Sequence, residues 1–488
     1  MFYIGIDIGT GSTRAALFDG AGRLLSLSSQ AYPIHHPAPG YAEQDARAWR
    51  NATAKAIRAV LPDNPDDVVA LSLSTQGGST LPIDEHGDPL GFAISWMDAR
   101  ASQQAASLSS AIPSDKWLAE TGVVPSPHYS LCHIAWLRER DPERFRRAVR
   151  FVTTLDYINA WLTGNCVIDP TNAVMTGMLG QNNAQWYEPA LALLGLRASQ
   201  LAEIRPTGAL VGTLTKAAAS ELGLSPAVRV YNGAHDQCAC ALGSGVLRAG
   251  DSMLSCGTAW VLLAAVQNRL QSAPACLTPS FHADPKLRSA FYALSAGSQT
   301  LNWVCAQMGL SLDEINETAG TRIEKNHAVL CYPYFAGATG LDAPAPAHGL
   351  FTGLDFATDK YDLALAAMEG TAFEISRSIA VFSACGIPIR QIRMLGGAAK
   401  SEVWPRIIAA TTGMPVVRPA AREAALLGAA AMAMVGNRLF ADYAAAYAAF
   451  AGEETITEPE PNLCDFYSRK FARYVSLQPQ ALQFAQER

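Results

Sequence analysis

The first thirteen residues constrain the fold most, because a short apolar strand, a carboxylate and a turn of small residues follow one another. Asp7 ends the strand that begins at Phe2, and the turn Gly9-Thr10-Gly11-Ser12-Thr13 comes next. Glycine lets the backbone approach a phosphate closely, and free N–H groups and hydroxyls then donate to its oxygens. Aspartate is a hard oxygen ligand that suits Mg²⁺. The segment therefore indicates a phosphate and metal site, although an ordinary hairpin turn with an incidental aspartate fits this motif alone equally well.

A second hairpin of the same kind starts near the middle of the chain. Asp251–Ser255 and Trp260–Ala265 read as strands on either side of the turn Gly257-Thr258. A third turn of small residues, Gly396-Gly397-Ala398, follows the strand Ile392–Leu395 and precedes a predicted helix, Lys400–Thr412, with apolar residues at helical spacing. Each half thus opens with an antiparallel hairpin and continues with strand–helix units, which predicts a duplicated α/β fold with mixed sheets.

The length of 488 residues is too great for one compact core, so two large domains are expected. We place the boundary after Gly243, which gives domains of residues 1–243 and 244–488. In the first domain, Asp45 is expected to cap a helix that carries Trp49, and a helix starts beside Asp236.

Composition excludes several classes of partner. The formal net charge of −6 argues against nucleic acid and against an anionic membrane. The longest apolar run, Ala424 to Val435, is too short to span a bilayer. The N-terminus has no basic region and enters a strand at once, so we expect no signal peptide and a cytoplasmic location. The ten cysteines include no CxxC pair, and Cys238-Ala239-Cys240 lacks the usual zinc spacing.

The three turns suggest one nucleotide site. A Walker P-loop is excluded because the sequence contains no Gly-Lys dipeptide, and the GxGxxG dinucleotide fingerprint is absent where glycines follow strands. If the two domains face each other across a cleft, the two hairpin turns can hold the phosphates of one ATP from opposite sides. Gly396-Gly397-Ala398 would then let the adenosine lie against the backbone.

Eight stretches together resemble the FGGY family of carbohydrate kinases over nearly the whole chain. They are Gly5–Thr10, Pro39–Asp45, Trp96–Arg100, Gly233–Gln237, Leu254–Thr258, Tyr332–Gly337, Leu395–Ser401 with Trp404, and Glu423–Ala430. The resemblance implies two RNase H-like domains of the actin and Hsp70 group, with the active site in the cleft between them. Within the family the chain is most similar to the xylulose kinases.

The resemblance also implies roles for single residues. Asp236 would be the general base and would share Mg²⁺ with Asp7, which would also touch the sugar; the alternative is that Asp236 is only a helix cap. The residues expected to bind the ATP phosphates are Thr10, Gly11, Ser12, Thr13, Gly257 and Thr258. Those expected to contact the adenosine are Gly396, Gly397, Ala398 and Ser401.

The sugar site departs from the family pattern. Xylulose kinases typically carry Gln-Met-His where this chain has Gln76-Gly77-Gly78, so we expect a roomier pocket and looser sugar preference. The alternative is that the glycines let the backbone approach the substrate and tighten the pocket. Gln76, Gly77, Gly78 and Gln237 are still expected to face the sugar. Trp96 is expected to be a core residue, with a stacking wall of the sugar site as the alternative, and His235 a structural residue. Asp98 and Arg100 are expected to form an internal ion pair.

The expected reaction is ATP-dependent phosphorylation of a small sugar, D-xylulose first, to the 5-phosphate. One alternative keeps the kinase and changes the acceptor to another ketose, a polyol, a sugar acid or a signalling furanone. Another is an actin- or Hsp70-like protein in which ATP gates partner binding, since fold does not fix function. The expected partners are the sugar and ATP, without nucleic acid or membrane, and a homodimer stays open.

Overall fold

Two large mixed sheets, one in each half of the chain, form the framework of the computed structural model. It describes residues 1–257, 260–294, 297–323, 327–335, 337–338, 347–420 and 423–486, so the predicted site residue Thr258 lies outside the described residues. Within the described residues, no helix is both long enough and apolar enough to cross a bilayer.

The first half contains the following elements. Its strands are β1 (Phe2–Ile8), β2 (Ser12–Asp19), β3 (Leu24–Ala31), β4 (Glu43–Gln44), β5 (Val68–Thr75), β6 (Leu81–Ile83), β7 (Ala93–Ile94), β8 (Arg150–Val152), β9 (Val167–Ile168), β10 (Leu179–Gly180), β11 (Gln185–Trp186), β12 (Glu203–Ile204), β13 (Leu210–Thr213) and β14 (Arg229–His235). Its helices are α1 (Ala46–Val60), α2 (Ser102–Ala111), α3 (Ser114–Thr121), α4 (Ser130–Arg140), α5 (Pro142–Arg147), α6 (Thr154–Thr163), α7 (Pro170–Val174), α8 (Glu188–Leu194), α9 (Lys216–Leu222) and α10 (Asp236–Gly243).

The second half repeats the pattern. Its strands are β15 (Asp251–Cys256), β16 (Trp260–Val266), β17 (Thr278–Phe281), β18 (Arg288–Leu294), β19 (Leu330–Tyr332), β20 (Leu350–Thr352), β21 (Gln391–Gly396), β22 (Val416–Arg418) and β23 (Thr455–Thr457). Its helices are α11 (Ser298–Met308), α12 (Leu312–Arg322), α13 (Lys360–Ala384), α14 (Val403–Thr412), α15 (Ala424–Gly436), α16 (Tyr443–Phe450) and α17 (Pro461–Gln486).

The two sheets share their central topology. In the described residues the first sheet runs β13-β14-β5-β1-β2-β3 and the second runs β17-β18-β16-β15-β21-β22-β23. In each, the hairpin strand that ends at a small-residue turn is antiparallel to the next strand and parallel to a later one: β1 with β5, and β15 with β21. This confirms the predicted duplication and the mixed sheets of an RNase H-like fold.

Helix α15 of the second half packs on the sheet of the first half. Leu426 and Leu427 of α15 lie in one apolar cluster with Tyr3 and Phe18 of the first sheet. The helix also crosses α10 at very short range. A methyl group on Gly428 would overlap the carbonyl oxygen of Ala239. Three other glycines at the contacts of α15 would also clash, with backbone atoms or an aromatic ring: Gly5, Gly243 and Gly436.

Local sequence signals account for the element boundaries that the sequence predicted. The Asp45 carboxylate accepts a hydrogen bond from the N–H of Arg47 and caps α1, as expected. The third turn is a short 3₁₀ helix, Gly397–Lys400, and α14 starts only at Val403, a few residues later than the helix predicted from Lys400. Ser401 causes this delay, because its hydroxyl caps α14 by accepting from the N–H groups of Val403 and Trp404.

Gly428→Ala should destabilise the protein by about 1–3 kcal/mol, the usual cost of overpacking. The expected loss of stability has the opposite sign to the effect of helix propensity, which favours alanine over glycine by roughly 1 kcal/mol inside a helix. Gly320→Ala in α12 is the matched control, because its added methyl group would meet only Val403 at 3.8 Å and should not destabilise. Denaturant unfolding of both variants measures the difference; equal stability would contradict the close helix crossing.

Candidate active site

Three adjacent parallel strands bring the first group of site residues to one sheet edge. Asp7 of β1 lies beside Ser74 of β5, and His235 of β14 lies beside Thr75 of β5. The carboxyl ends of parallel strands are where α/β sheets bind ligands. Asp236 is the first residue of α10, directly after β14, so the predicted base and the predicted metal ligand share this edge.

Asp7 is buried and held by two donors. Its Oδ1 accepts from the hydroxyl of Ser74 at 2.7 Å, and its Oδ2 pairs with Nη2 of Arg14 at 2.7 Å. The other terminal nitrogen of Arg14, Nη1, binds Oε2 of Glu423 at 2.6 Å. Burial works against the charged guanidinium, but Asp7 and Glu423 outweigh it and raise the pKa of Arg14. Since Glu423 directly precedes α15, this ion pair joins the phosphate side of the cleft to the second half.

Asp236 occupies a partly open position beside that pair. About a third of its side chain, 33%, is exposed, and its Oδ1 accepts from the N–H of Gln237 at 2.6 Å and lies 3.2 Å from Nε2 of His235. Burial raises the pKa of the Asp236 carboxyl, and repulsion from Asp7 raises it further, whereas His235 and the Gln237 N–H oppose the shift. A carboxylate with a raised pKa is a better proton acceptor than an ordinary aspartate.

The two carboxylates suit a shared cation. Their mutual repulsion, visible in the raised pKa of Asp236, is what a bound Mg²⁺ would relieve. In the described part of the chain no cluster of three or more His, Cys, Asp or Glu side chains could hold a metal ion. Phosphate and water oxygens would therefore complete the shell, which is the usual way that Mg²⁺ binds beside a nucleotide.

The turn after β1, residues 9–13, is here called the phosphate turn after its predicted role. The N–H of Gly9 donates to the carbonyl of Ser12 at 3.0 Å, and Gly11 at the tip is exposed. Thr10 is held from two sides: its carbonyl accepts from Nε2 of Gln44 at 2.7 Å, and its hydroxyl accepts from Nε1 of Trp96 at 3.1 Å. Thr10, Gly11 and Ser12 thus lie at the end of the β1–β2 hairpin, and their contact with the ATP phosphates stays a prediction.

Two predictions for this region need correction. Thr13 is fully buried in β2, because alternation along the strand turns it inward, so its side chain cannot reach a phosphate. Trp96 was expected in the core but is 43% exposed. Its indole N–H found its partner in Thr10, which lies at the cleft.

The predicted ion pair is confirmed, whereas the sugar-facing role of Gly77, Gly78 and Gln237 stays a prediction. Asp98 and Arg100 form the expected internal ion pair at 2.8 Å, and Arg100 reaches Glu43 as well. Gly77 and Gly78 are buried, and Gln237 lies next to Asp236 with a carbonyl oxygen that is buried and unpaired.

A cavity of about 410 Å³ in the second half collects the predicted adenosine residues Gly397, Ala398 and Ser401. Its volume is typical of small-molecule sites. Gly396 directly precedes the cavity residue Gly397 in the chain and has a φ of 94°. The parallel pairing of β15 with β21 places Cys256 beside Gly396. The exposed Gly257 therefore follows directly at the same sheet edge. The sequence did not single out the cavity's other walls, from α11, α12 and α13: Ser298, Leu301, Asn302, Leu312, Asp313, Ile315, Asn316 and Met368.

Two charged residues were also missed. Arg14 and Glu423 each stand beside a motif that the sequence analysis did use. Arg14 directly follows the turn that ends at Thr13, and Glu423 is the first residue of the stretch Glu423–Ala430. Their opposite charges were the available signal, but only the structure shows that residues 409 positions apart form one ion pair.

An actin-like pair of sheets with a carboxylate pair, a phosphate turn and a nucleotide-sized cavity defines a protein that handles ATP. Family comparison agrees: residues 2–243 match the N-terminal domain and residues 252–436 the C-terminal domain of the FGGY family of carbohydrate kinases. The chain belongs to this family, and it is an ATP-dependent sugar kinase. The reading as an actin- or Hsp70-like ATP-gated binding protein is thereby set aside.

Individual relatives give the range of resemblance. The chain is 27% identical to a xylulose kinase from Staphylococcus xylosus, covering 90% of this chain and 92% of that one. It is 30% identical to a glycerol kinase from Thermus brockianus, covering 88% of each. The crystal structure of a xylulose kinase from Brucella ovis is 26% identical, superimposes with a TM-score of 0.93 and covers 98% of this chain and 99% of that one.

Glu423→Gln should raise KM for Mg·ATP by roughly three- to tenfold with a smaller change in kcat. The variant keeps the shape of the side chain but removes the charge that holds Arg14 beside Asp7, and charged hydrogen bonds contribute about 1.5–3 kcal/mol before solvent screening. An ADP-release assay measures KM. Glu460→Gln, which breaks the exposed pair with Arg406, is the control; identical KM values in both variants would contradict a role for Glu423.

Proposed function

We propose that this kinase transfers the γ-phosphoryl group of ATP to a hydroxyl of a ketopentose, with D-xylulose first, to give the 5-phosphate. The observation that carries the proposal is the position of Asp236: it is partly open to the cleft, at the start of α10, beside Asp7 and the phosphate turn. A base in this place is what transfer to an alcohol requires and what simple ATP-gated binding does not.

In the proposed mechanism, Asp236 accepts the proton of the attacking hydroxyl. Its Oδ1 is fixed by the N–H of Gln237 and by His235 on the adjoining position. The start of α10 favours the ionised carboxylate, while burial and Asp7 keep its pKa above the ordinary value. The helix start and the N–H of Gln237 stabilise the carboxylate form, and the raised pKa makes this carboxylate a stronger proton acceptor. Asp7 and Asp236 would hold Mg²⁺, which neutralises charge on the phosphates.

The remaining contacts divide between the two halves. Thr10, Gly11 and Ser12 would bind the terminal phosphates from the first half, and Gly257 with Thr258 from the second. Gly396, Gly397, Ala398 and Ser401 would border the adenosine. Binding across the cleft favours closure, and closure excludes water that would otherwise be phosphorylated in place of the sugar.

The acceptor has a second candidate. Glycerol is retained because the similarity to the Thermus brockianus glycerol kinase, at 30% identity over 88% of each chain, matches the similarity to xylulose kinases in extent. Sugar acids and furanones are further acceptors for the same chemistry. The nucleotide site and the base are the same for each acceptor, so only the walls around the acceptor distinguish them.

Asp236→Asn should lower kcat by about 10²–10⁴-fold, the range for a positioned acid–base group, and leave nucleotide binding nearly unchanged. The amide keeps the size of the side chain but cannot accept the proton. Turnover and ATP affinity are measured together with thermal unfolding. Asp45→Asn, at the start of α1, is the control for losing an aspartate at a helix start. Near-normal turnover of folded Asp236→Asn would contradict the assignment.

An acceptor panel tests the substrate. With ATP and Mg²⁺, kcat/KM is compared for D-xylulose, L-xylulose, D-ribulose, L-ribulose, glycerol and gluconate. We expect D-xylulose to lead. If glycerol or gluconate exceeds it by more than about tenfold, a difference of ~1.4 kcal/mol in transition-state binding, the ketopentose assignment fails while the kinase assignment stands.

A further inference from the structure

The space above Gly77 and Gly78 is not the open room that the sequence suggested. A methyl group on Gly77 would lie 2.7 Å from Cδ2 of His235 and 2.8 Å from Cγ of Met175. Gly78 has φ of 76°, a conformation that side chains rarely adopt, and Trp96 closes over it. The volume that side chains at these positions would fill is thus already occupied from other elements.

A buried polar network holds the two occupants in place. Asp169 caps α7 and accepts from the hydroxyl of Thr171 at 2.6 Å. The same hydroxyl of Thr171 accepts from the backbone N–H of His235 at 2.7 Å. Met175 follows α7 directly, and its N–H donates to the carbonyl of Asn172 at 3.0 Å. The end of β14 and the turn after α7 are therefore tied to one carboxylate, so His235 and Met175 approach Gly77 as a fixed pair.

We propose that Met175 and His235 form one wall of the acceptor pocket, with Met175 as a specificity-determining residue and His235 as a positioning residue for Asp236. This rests on the proposed function, because it assumes that Asp236 faces the acceptor. His235 links the wall to the base: its Nε2 lies 3.2 Å from Oδ1 of Asp236, while its ring is packed on Gly77. Met175 is only partly buried, as a wall residue must be.

The chemistry of this wall selects the acceptor class. A thioether and a ring edge offer an adaptable apolar surface, which suits the C–H side of a short polyhydroxyl chain. The carboxylates Asp7 and Asp236 accept hydroxyl hydrogens on the other side and repel an anion. Arg14, the cation beside them, is already paired with Asp7 and Glu423. The wall therefore favours a small neutral ketose or polyol over a sugar acid, and its fixed position limits the length of the chain.

Met175→Ala tests the specificity role. It should raise KM for D-xylulose by roughly three- to tenfold and raise the kcat/KM ratio of D-fructose to D-xylulose by about tenfold, because the wall recedes by several atoms. KM for Mg·ATP should not change. Met414→Ala removes a partly buried methionine that packs on the core of the second half, and it should leave all of these values unchanged.

A double variant tests the geometry. Gly77→Ala should lower kcat by at least about tenfold, since the new methyl group forces His235 and Met175 away from the base. Adding Met175→Ala to Gly77→Ala should restore part of that loss, because it removes the Cγ contact at 2.8 Å and leaves the His235 contact at 2.7 Å. A double variant with the same kcat as Gly77→Ala would contradict the contact between Met175 and Gly77. Gly20→Ala, whose added methyl group meets no atom within 4 Å, is the control.

His235 is tested by rescue. His235→Gln can still donate to Asp236 from its amide, so its kcat should exceed that of His235→Ala by about tenfold, with similar thermal stability in both. If the two variants have equal kcat, the positioning role is overturned. If the wild type phosphorylates D-xylulose but Met175→Ala keeps its acceptor KM and sugar ratio, the wall is overturned and the kinase stands. If the wild type phosphorylates no acceptor of the panel, the proposed function fails, and the wall fails with it.

Discussion

The crossing of α10 and α15 is the contact on which the rest of the structure depends. Helix α10 carries Asp236 at its start, and α15 follows Glu423, so the two helices bring a residue from each half to the same cleft. Their backbones approach so closely that Gly243 and Gly428 have no space for a side chain. Glycine costs helix stability, and interhelical backbone contact of this kind is one reason for it to persist inside a helix. The short distance fixes the position of the base relative to the second sheet.

Charge placement follows from that packing. Because α15 starts beside the phosphate turn, Glu423 reaches Arg14, and Arg14 in turn holds Asp7. Arg14 has two carboxylate partners, whereas among the described residues Asp236 has a histidine and one N–H as its partners. The asymmetry separates the two aspartates by role: Asp7 is held by Arg14 and Ser74, and the pKa of Asp236 is raised, chiefly by burial. Asp7 is thereby suited to bind a cation, and Asp236 is suited to accept a proton.

Sequence reasoning predicted the duplicated sheets and both hairpins, because strand periodicity and turn residues are local signals. The grouping of Asp236 with Asp7 came from the family resemblance. Sequence reasoning failed where the answer depends on distant neighbours. Gly77 was interpreted as open space, yet the space is filled by Met175, about a hundred residues later. Trp96 was expected in the core because tryptophan side chains are usually buried, yet its indole N–H binds Thr10 at the cleft. The walls of the nucleotide cavity come from helices whose sequences carry no motif.

The central claim is that both halves hold one nucleotide and that Asp236 meets the acceptor hydroxyl. The most direct measurement is a crystal structure of the protein with a non-hydrolysable ATP analogue, Mg²⁺ and D-xylulose. The account predicts a sugar hydroxyl within roughly 2.6–3.2 Å of an Asp236 oxygen and facing the γ-phosphate. It also predicts triphosphate contacts from the turn at Thr10 and adenosine contacts at Gly397. A nucleotide that touches only residues before 243, or a sugar that binds away from Asp236, would contradict it.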